Sequence, residues 1–251
     1  TDDGDTWTEL DTVETNLGSA DVGVFVTSSE PEVRSVAEFS EFGVTREVLW
    51  STVDTTGSGD ARFDSLTGAN DGYAIEAAGR DVWTDADEYG AIYEPNLSGD
   101  IAAETVIESQ EDTHDWAKAG VMLANDITDA GSSAGDIIVA ATPANGFIMD
   151  WDGDGDGYIS THNEDGSVSY PCHLRLRRVN GEYTRPHSTH RGRAWTPPAA
   201  AAITAAPGTQ GGGIFATAHD GGGRGTAENR WFDFRTPSDS GADRPPLRLT
   251  D

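Results

Sequence analysis

The amino-acid sequence predicts an all-β fold, an antiparallel jelly-roll β-sandwich, on three observations. Its apolar residues fall in period-two patterns or short runs almost throughout. Clusters of Gly, Asp, Asn, Ser and Pro, the residues that make tight turns, separate those runs. The unit that holds them is roughly 180 residues long, which suits a jelly roll better than a seven-stranded immunoglobulin domain.

In chain order the expected strands are Tyr73–Ala77, Gly90–Tyr93, Ile101–Ser109, Ala119–Ala124, Ile137–Ala141, Gly146–Trp151, His173–Val179, Gly213–Thr217 and Ala227–Phe234. In WAKAGVM and the leucine after it, Trp116, Lys118, Gly120 and Met122 alternate with Ala117, Ala119, Val121 and Leu123. Both faces are largely apolar, so the run is expected in the core, with Lys118 snorkelling or paired. Cys172, the only cysteine, excludes an internal disulfide framework and reads as a small buried hydrophobe.

The two ends of the chain resemble each other. Trp7 aligns with Trp195. After a two-residue insertion, Gly23, Phe25, Thr27, Arg34, Ala37, Glu38 and Phe42 meet Gly213, Phe215, Thr217, Arg224, Ala227, Glu228 and Phe232 at a constant offset of 190. A period that long marks tandem domains and not a solenoid. The expected organisation is the closing strands of a preceding repeat (1–44), a linker near Gly43–Val48 and a first strand (45–58), a complete sandwich (59–236) and a disordered tail (237–251). Because the chain opens inside a repeat, the lack of an amino-terminal signal peptide says nothing about location.

Forty-four acidic residues against sixteen basic ones leave a net charge of −28, and Lys118 is the only lysine. Such a surface repels itself in dilute buffer, whereas molar salt shrinks the Debye length to about 3 Å and removes that penalty. A halophilic origin is expected. Nucleic acid and anionic membrane surfaces are poor partners for this field, and no stretch approaches the ~20 apolar residues of a spanning helix.

The block from GYAIEAAGRDVW to GFIMDW, then LRLRRVNGEYT and GIFATAHDGG, resembles a concanavalin A-like, laminin-G-like sandwich module of extracellular bacterial and archaeal proteins. DVW at Asp81–Trp83, SGD at Ser98–Asp100 and WAKAGVM at Trp116–Met122 carry the resemblance, which spans Leu49–Phe234 and again Thr1–Val44. It implies a concanavalin A-like fold and a non-catalytic accessory role in a multidomain, here haloarchaeal, protein. An extracellular or cell-surface location follows, with a polysaccharide or cell-surface glycan as partner and self-association through tandem copies. The chain departs from the pattern in CHLRL, where the family has WLRL, and in Arg185–Gln210, a stretch without acidic residues. That stretch reads either as a divergent loop or as a frame error, and in the second case a basic site at Arg185, Arg191 and Arg193 would be fictitious.

The chemical motif with the most defined spacing is DWDGDGDGY, Asp150–Tyr158. Asp152, Asp154 and Asp156 occupy the first, third and fifth positions of a calcium loop, Gly157 the sixth, and Tyr158 would offer its carbonyl at the seventh. The twelfth position holds Asn163 where a bidentate Glu is expected, and no helices flank the loop. Calcium is the implied cofactor; a solvated acidic turn is the plainer alternative. Trp151 and Tyr158 flank this turn and are candidates for stacking on a sugar. A second cluster, Asp81, Asp85, Asp87 and Glu88 around Trp83, offers a sugar or metal site built on Trp83 and Asp85, or else a core tryptophan ringed by solvated carboxylates.

Enzyme signatures are absent or out of context. GSSAG at Gly131–Gly135 matches the nucleophile elbow around Ser133 but lacks a strand-turn-helix setting. Carboxylate pairs are too abundant to single out a glycosidase pair. The histidines lack metal-ligand spacing except His187 and His190. The expected function is a non-catalytic carbohydrate-binding or adhesive module; the alternatives are a structural spacer in a surface array and a divergent glycoside hydrolase.

Overall fold

The computed structural model describes residues 50–66, 72–129, 131–188, 199–202 and 208–235. The chain divides into two units, Thr1–Val48 and Leu49–Asp251, and every described residue belongs to the second. Segment 1–44, the linker at Gly43–Val48 and the tail 237–251 lie outside the described residues, as do His190, Arg191 and Arg193.

Among the described residues all regular structure is strand. The order is β1 (Ser51–Asp54), β2 (Arg62–Leu66), β3 (Gly72–Gly79), β4 (Val82–Trp83), β5 (Ala86–Asp87), β6 (Gly90–Ser98), β7 (Ile101–Gln110), β8 (Lys118–Ala124) and β9 (Ile137–Thr142). It continues with β10 (Gly146–Trp151), β11 (Thr161–Asp165), β12 (Cys172–Val179), β13 (Glu182–Arg185), β14 (His187–Ser188), β15 (Ala199–Ala202), β16 (Thr209–Thr217) and β17 (Asp220–Arg235). All nine expected strands are present.

Two antiparallel sheets form the sandwich. One runs β1-β6-β16-β8-β9-β10-β11; the other runs β15-β13-β12-β7-β17-β3-β2, with β14 also pairing β12. Alternate residues of facing strands close the core between them: Val121 and Leu123 of β8, Phe147 and Met149 of β10, Leu174 and Leu176 of β12, Ile107 of β7 and Ile75 of β3. Burying these apolar faces is the main driving force of such a fold. Cys172 belongs to this core, and burial pushes its thiol up to about 12, so it is the inert hydrophobe expected.

The seven-stranded sheet is apolar on its other face too. Met122, Ala124, Ile138, Ala140, Ile148 and Phe215 form a second cluster beneath Val82, Tyr89, Ile127 and Ile159, which come from the connections. This explains the two-sided apolar pattern of WAKAGVM: one side faces the partner sheet, the other faces a roof of loops. At one end of the strands the roof gives way to polar side chains, and there the candidate site lies.

Arg185, in the stretch that departs from the family pattern, is buried. It donates to the Phe147 carbonyl (3.0 Å) and to Asn163 Oδ1 (2.7 Å), while the His187 ring stacks on Phe147 with centroids 3.9 Å apart. Arg185–Ser188 is thus integrated in the fold as written, and Arg185 belongs to no surface basic site.

Candidate functional site

Strand alternation decides which side chains reach the outer face of the seven-stranded sheet. Ile148 of β10 belongs to the outer cluster, so Asp150, two residues on, points the same way. His162 of β11 is directly opposite Asp150 in the ladder and shares its face. Met122 of β8 likewise fixes Lys118 on the outer side. Trp116 precedes β8, His219 follows β16, and Asp81 and Trp83 come from the turn at β4. These seven residues, Asp81, Trp83, Trp116, Lys118, Asp150, His162 and His219, line a cleft of about 390 Å³.

Two ion pairs organise it. The Lys118 ammonium, only 3% exposed at its side chain, donates to Asp81 Oδ1, and the other Asp81 oxygen lies 3.4 Å from His219 Nδ1. His162 Nδ1 meets Asp150 Oδ1 at 2.6 Å, where the carboxylate side chain is 2% exposed. Burial pushes the Asp150 carboxyl up and the imidazole partner opposes that shift; the Asp150 hydrogen bond in turn raises His162, while burial lowers His219. A buried charge without a partner is costly, so each charge here depends on its opposite.

The aromatic rings close around the same point. Trp83 and Trp116 both meet the His162 imidazole edge-on, at centroid separations of 6.0 and 5.7 Å, and Lys118 Nζ lies 6.0 Å from the Trp116 ring. His219 stacks on His114 at 4.2 Å. Two cleft-side residues hold left-handed backbone conformations uncommon for residues other than glycine, Thr84 (φ 54°) and His219 (φ 53°). Thr84 is tied to the loop after β10 through its amide, which donates to the Ile159 carbonyl at 2.8 Å. The Trp83 turn and the acidic loop are therefore braced together.

The acidic loop is an ordered turn. Asp152 is fully buried; its two oxygens accept from the Gly155 amide (2.7 Å) and the Gly157 amide (3.1 Å). Asp156 accepts from the Tyr158 amide at 3.0 Å, and Ser133 donates its amide to the Gly157 carbonyl at 2.8 Å. Gly157, at φ 93°, supplies the conformation the turn needs. One oxygen from each of Asp152, Asp154 and Asp156 can be chosen so that all three lie within 4.8 Å of one another. Three converging hard oxygens fit a calcium ion. Asn163 does not complete the set, because β11 holds it in register with Met149 and its amide oxygen is taken by Arg185.

Of the sequence-predicted ligand residues, only Trp83 lies in the cleft. Trp151 follows Phe147 and Met149 on the inner side of β10 and packs against the inter-sheet core. Tyr158 is 47% exposed on the acidic loop, and Asp85 is exposed, accepting from Thr84 Oγ1 at 3.3 Å. The Asp81–Glu88 cluster disperses: Asp81 joins Lys118, Glu88 holds Arg80 at 2.7 Å, and Asp87 is buried against the Ser133 hydroxyl at 2.6 Å. Ser133 is thus a structural donor in a turn. Lys118 is buried and paired, as expected, and Trp116 packs on the outer cluster; both also line the cleft. Asp150, His162 and His219 have no spacing motif; the strand ladder alone brings them together.

No protein family matches the chain, and no curated protein does. Solved structures match in fold. A functionally unknown protein from Saccharomyces cerevisiae superposes with a TM-score of 0.53 at 12% identity, over 70% of this chain and 96% of that one. The exoplasmic/lumenal domain of VIP36, bound to Ca²⁺ and Man3GlcNAc, gives 0.43 at 11% identity over 73% and 88%. A mutant of the GH43 protein BlXynB from Bacillus licheniformis gives 0.43 at 12% over 76% and 40%. At these identities the likeness is one of architecture, and the chain is an all-β, antiparallel jelly-roll sandwich.

Proposed function

We propose that the protein is a non-catalytic carbohydrate-binding or adhesive module of an extracellular, halophilic protein, and that the sugar site is the cleft of Trp83, Trp116, Lys118, Asp81, Asp150 and His162. The carrying observation is the composition of that cleft. Indole rings offer apolar faces to a pyranose ring, while the ammonium, imidazole and carboxylates supply donors and acceptors for hydroxyl groups. An ordered set of ion pairs presents those groups without rearrangement, which lowers the entropic cost of binding. A calcium ion held by Asp152, Asp154, Asp156 and the Tyr158 carbonyl would stiffen the loop braced to the Trp83 turn. The matching residues at the two ends of the chain support tandem copies, which would add avidity on a polymer.

The test is retention on insoluble and soluble glycans in molar salt, for the protein and for Trp83→Ala and Trp116→Ala. Binding should weaken roughly tenfold or more in each variant, as expected for loss of an aromatic platform, measured at a temperature where each variant is folded, since both indoles also pack on the outer cluster. Retention on no glycan would favour a structural spacer. Release of new reducing ends, abolished by Asp81→Asn and Asp150→Asn, would replace binding with hydrolysis.

A further inference from the structure

The cleft holds the only lysine of a chain with 44 acidic residues, and holds it almost completely buried. Elsewhere among the described residues, arginine makes the positive contacts to carboxylates: Arg80 with Glu88, Arg175 with Glu104, Arg224 with Asp60 and Glu76, Arg230 with Glu108. An ammonium differs from a guanidinium in being a compact donor whose three N–H groups can point in different directions. Asp81 takes one direction. Lys118 lines the cleft, so its other N–H groups can serve a neutral acceptor held there.

The charge balance limits what that acceptor can be. Lys118 is neutralised by Asp81, and the protonated form of His162 by Asp150. Burial holds the third basic group, His219, below its ordinary value, so at neutral pH the described residues of the cleft contain two carboxylates and no cation in excess of them. A uronate or sulfated sugar would bring a third anion beside Asp81 and Asp150 in a poorly solvated space, where juxtaposed like charges are strongly unfavourable. Arginine could supply a bidentate clamp for a carboxylate or sulfate, but no arginine is among the described residues that line the cleft. A hydroxyl group has no such conflict: it can accept from Lys118 and donate to a carboxylate at once.

We infer that the cleft selects uncharged sugar residues and rejects acidic ones, with Lys118 as the direct hydroxyl-binding donor. This inference rests on the carbohydrate reading above. Charge selection and binding itself can be separated, because a single lysine gives a single reporter.

In protein labelled with ¹³C at lysine, the Cε methylene of Lys118 contributes one NMR signal. It is followed in molar NaCl during titration with xylohexaose, cellohexaose and mannohexaose, and with a matched pair, oligogalacturonate and its full methyl ester. The expected result is a saturable shift with at least one neutral hexamer, and affinity for the methyl ester at least tenfold above that for the free acid. Equal or tighter binding of the free acid overturns the inference while leaving the carbohydrate reading intact. Retention on a glycan with an unmoved Lys118 signal places binding outside the cleft and overturns both the site and the inference. A Lys118→Met variant that folds, judged by an unchanged melting profile, yet binds the neutral hexamer as well as the parent removes Lys118 from recognition. Silence toward every neutral hexamer and the methyl ester, with no retention on polymeric glycans either, defeats the carbohydrate reading itself.

Discussion

Two histidines, His162 on β11 of the seven-stranded sheet and His187 on β14 of the facing sheet, respond to acid in opposite ways. His162 is held above its ordinary value by the Asp150 carboxylate, so its contribution to stability is complete below about pH 6.5 and fades as pH rises through the raised value. His187 is depressed to about 4, first by burial and then by the neighbouring Arg185 charge. Its unfolded form binds a proton near pH 6.5 while the folded form resists until near 4. Acidification across that window therefore favours unfolding. His187→Phe keeps a ring against Phe147 and removes the proton, so urea midpoints at pH 4.5 and pH 7, at constant salt, should differ less in the variant than in the parent. An unchanged difference would place the acid sensitivity elsewhere, though not in Asp87 or Asp136, whose raised carboxyls take up a proton in the folded state first and so favour folding in acid. Asp87 is pushed up to about 6 and Asp136 well above its ordinary value, both chiefly by burial. At this scale the sequence was a partial guide. It marked Trp83 and Lys118 as notable, but adjacency in sequence misassigned Trp151, whose neighbours on β10 alternate between two cores.

The β10–β11 hairpin ties the acidic loop to the cleft, since Asp150 and His162 stand on its two strands and Asp152–Gly157 lies between them. Asp154 is exposed and makes only a 3.3 Å contact with the Asp156 amide, so Asp154→Ala removes a metal ligand with little cost to the turn. If calcium binds, melting temperature in molar NaCl should rise with calcium over chelator, by about 2.7 kcal/mol of stabilisation at a hundred times the dissociation constant, and the rise should vanish in the variant. An equal rise in both would mean that the ion sits elsewhere. Strands of the sandwich interior were legible because burial gives apolar runs where both faces are covered, as in β8 and β9, and strict alternation where one is, as in β12. Those missed are edges or short pieces: β2 (RFDSL) and β11 (THNED) lie at the ends of their sheets and are largely exposed, so backbone pairing holds them without an apolar signature. His162 sits on one of these edges, which is why no pattern pointed to it. The residues shared at offset 190 are better explained by the fold. Phe215 is at the centre of the seven-stranded sheet, Ala227 and Phe232 belong to the inner core, and a Cβ on Gly213 would come within 2.5 Å of the Ile92 carbonyl. Positions with that little freedom would keep their residues if the segment were a duplicated one.

Charge acts on the molecule as a whole. Even if each of the sixteen basic residues paired with one acid, 28 negative charges would remain uncompensated. The exposed pairs that do form, such as Arg62 with Glu76 at 3.4 Å and Arg224 with Asp60 at 3.4 Å, are of the kind worth ~0–1 kcal/mol each and are weakened by salt. Repulsion among unpaired carboxylates extends over many residues and is relieved by the same salt. The second effect involves more charges, so it sets the sign: salt should stabilise. Because screening shortens from about 10 Å at 0.1 M to about 3 Å at 1 M, most of the gain should come below about 1 M NaCl, and further salt should add little through this route. Chemical denaturation with urea, an uncharged denaturant, at a series of NaCl concentrations reads this directly. A midpoint that climbs steeply and then flattens fits charge screening. A midpoint that keeps rising linearly into molar salt, and rises more with sulfate than with chloride at equal ionic strength, would assign the effect to strengthened apolar burial. A midpoint that falls would show that the ion pairs outweigh the repulsion and that the acidic surface has no need of salt.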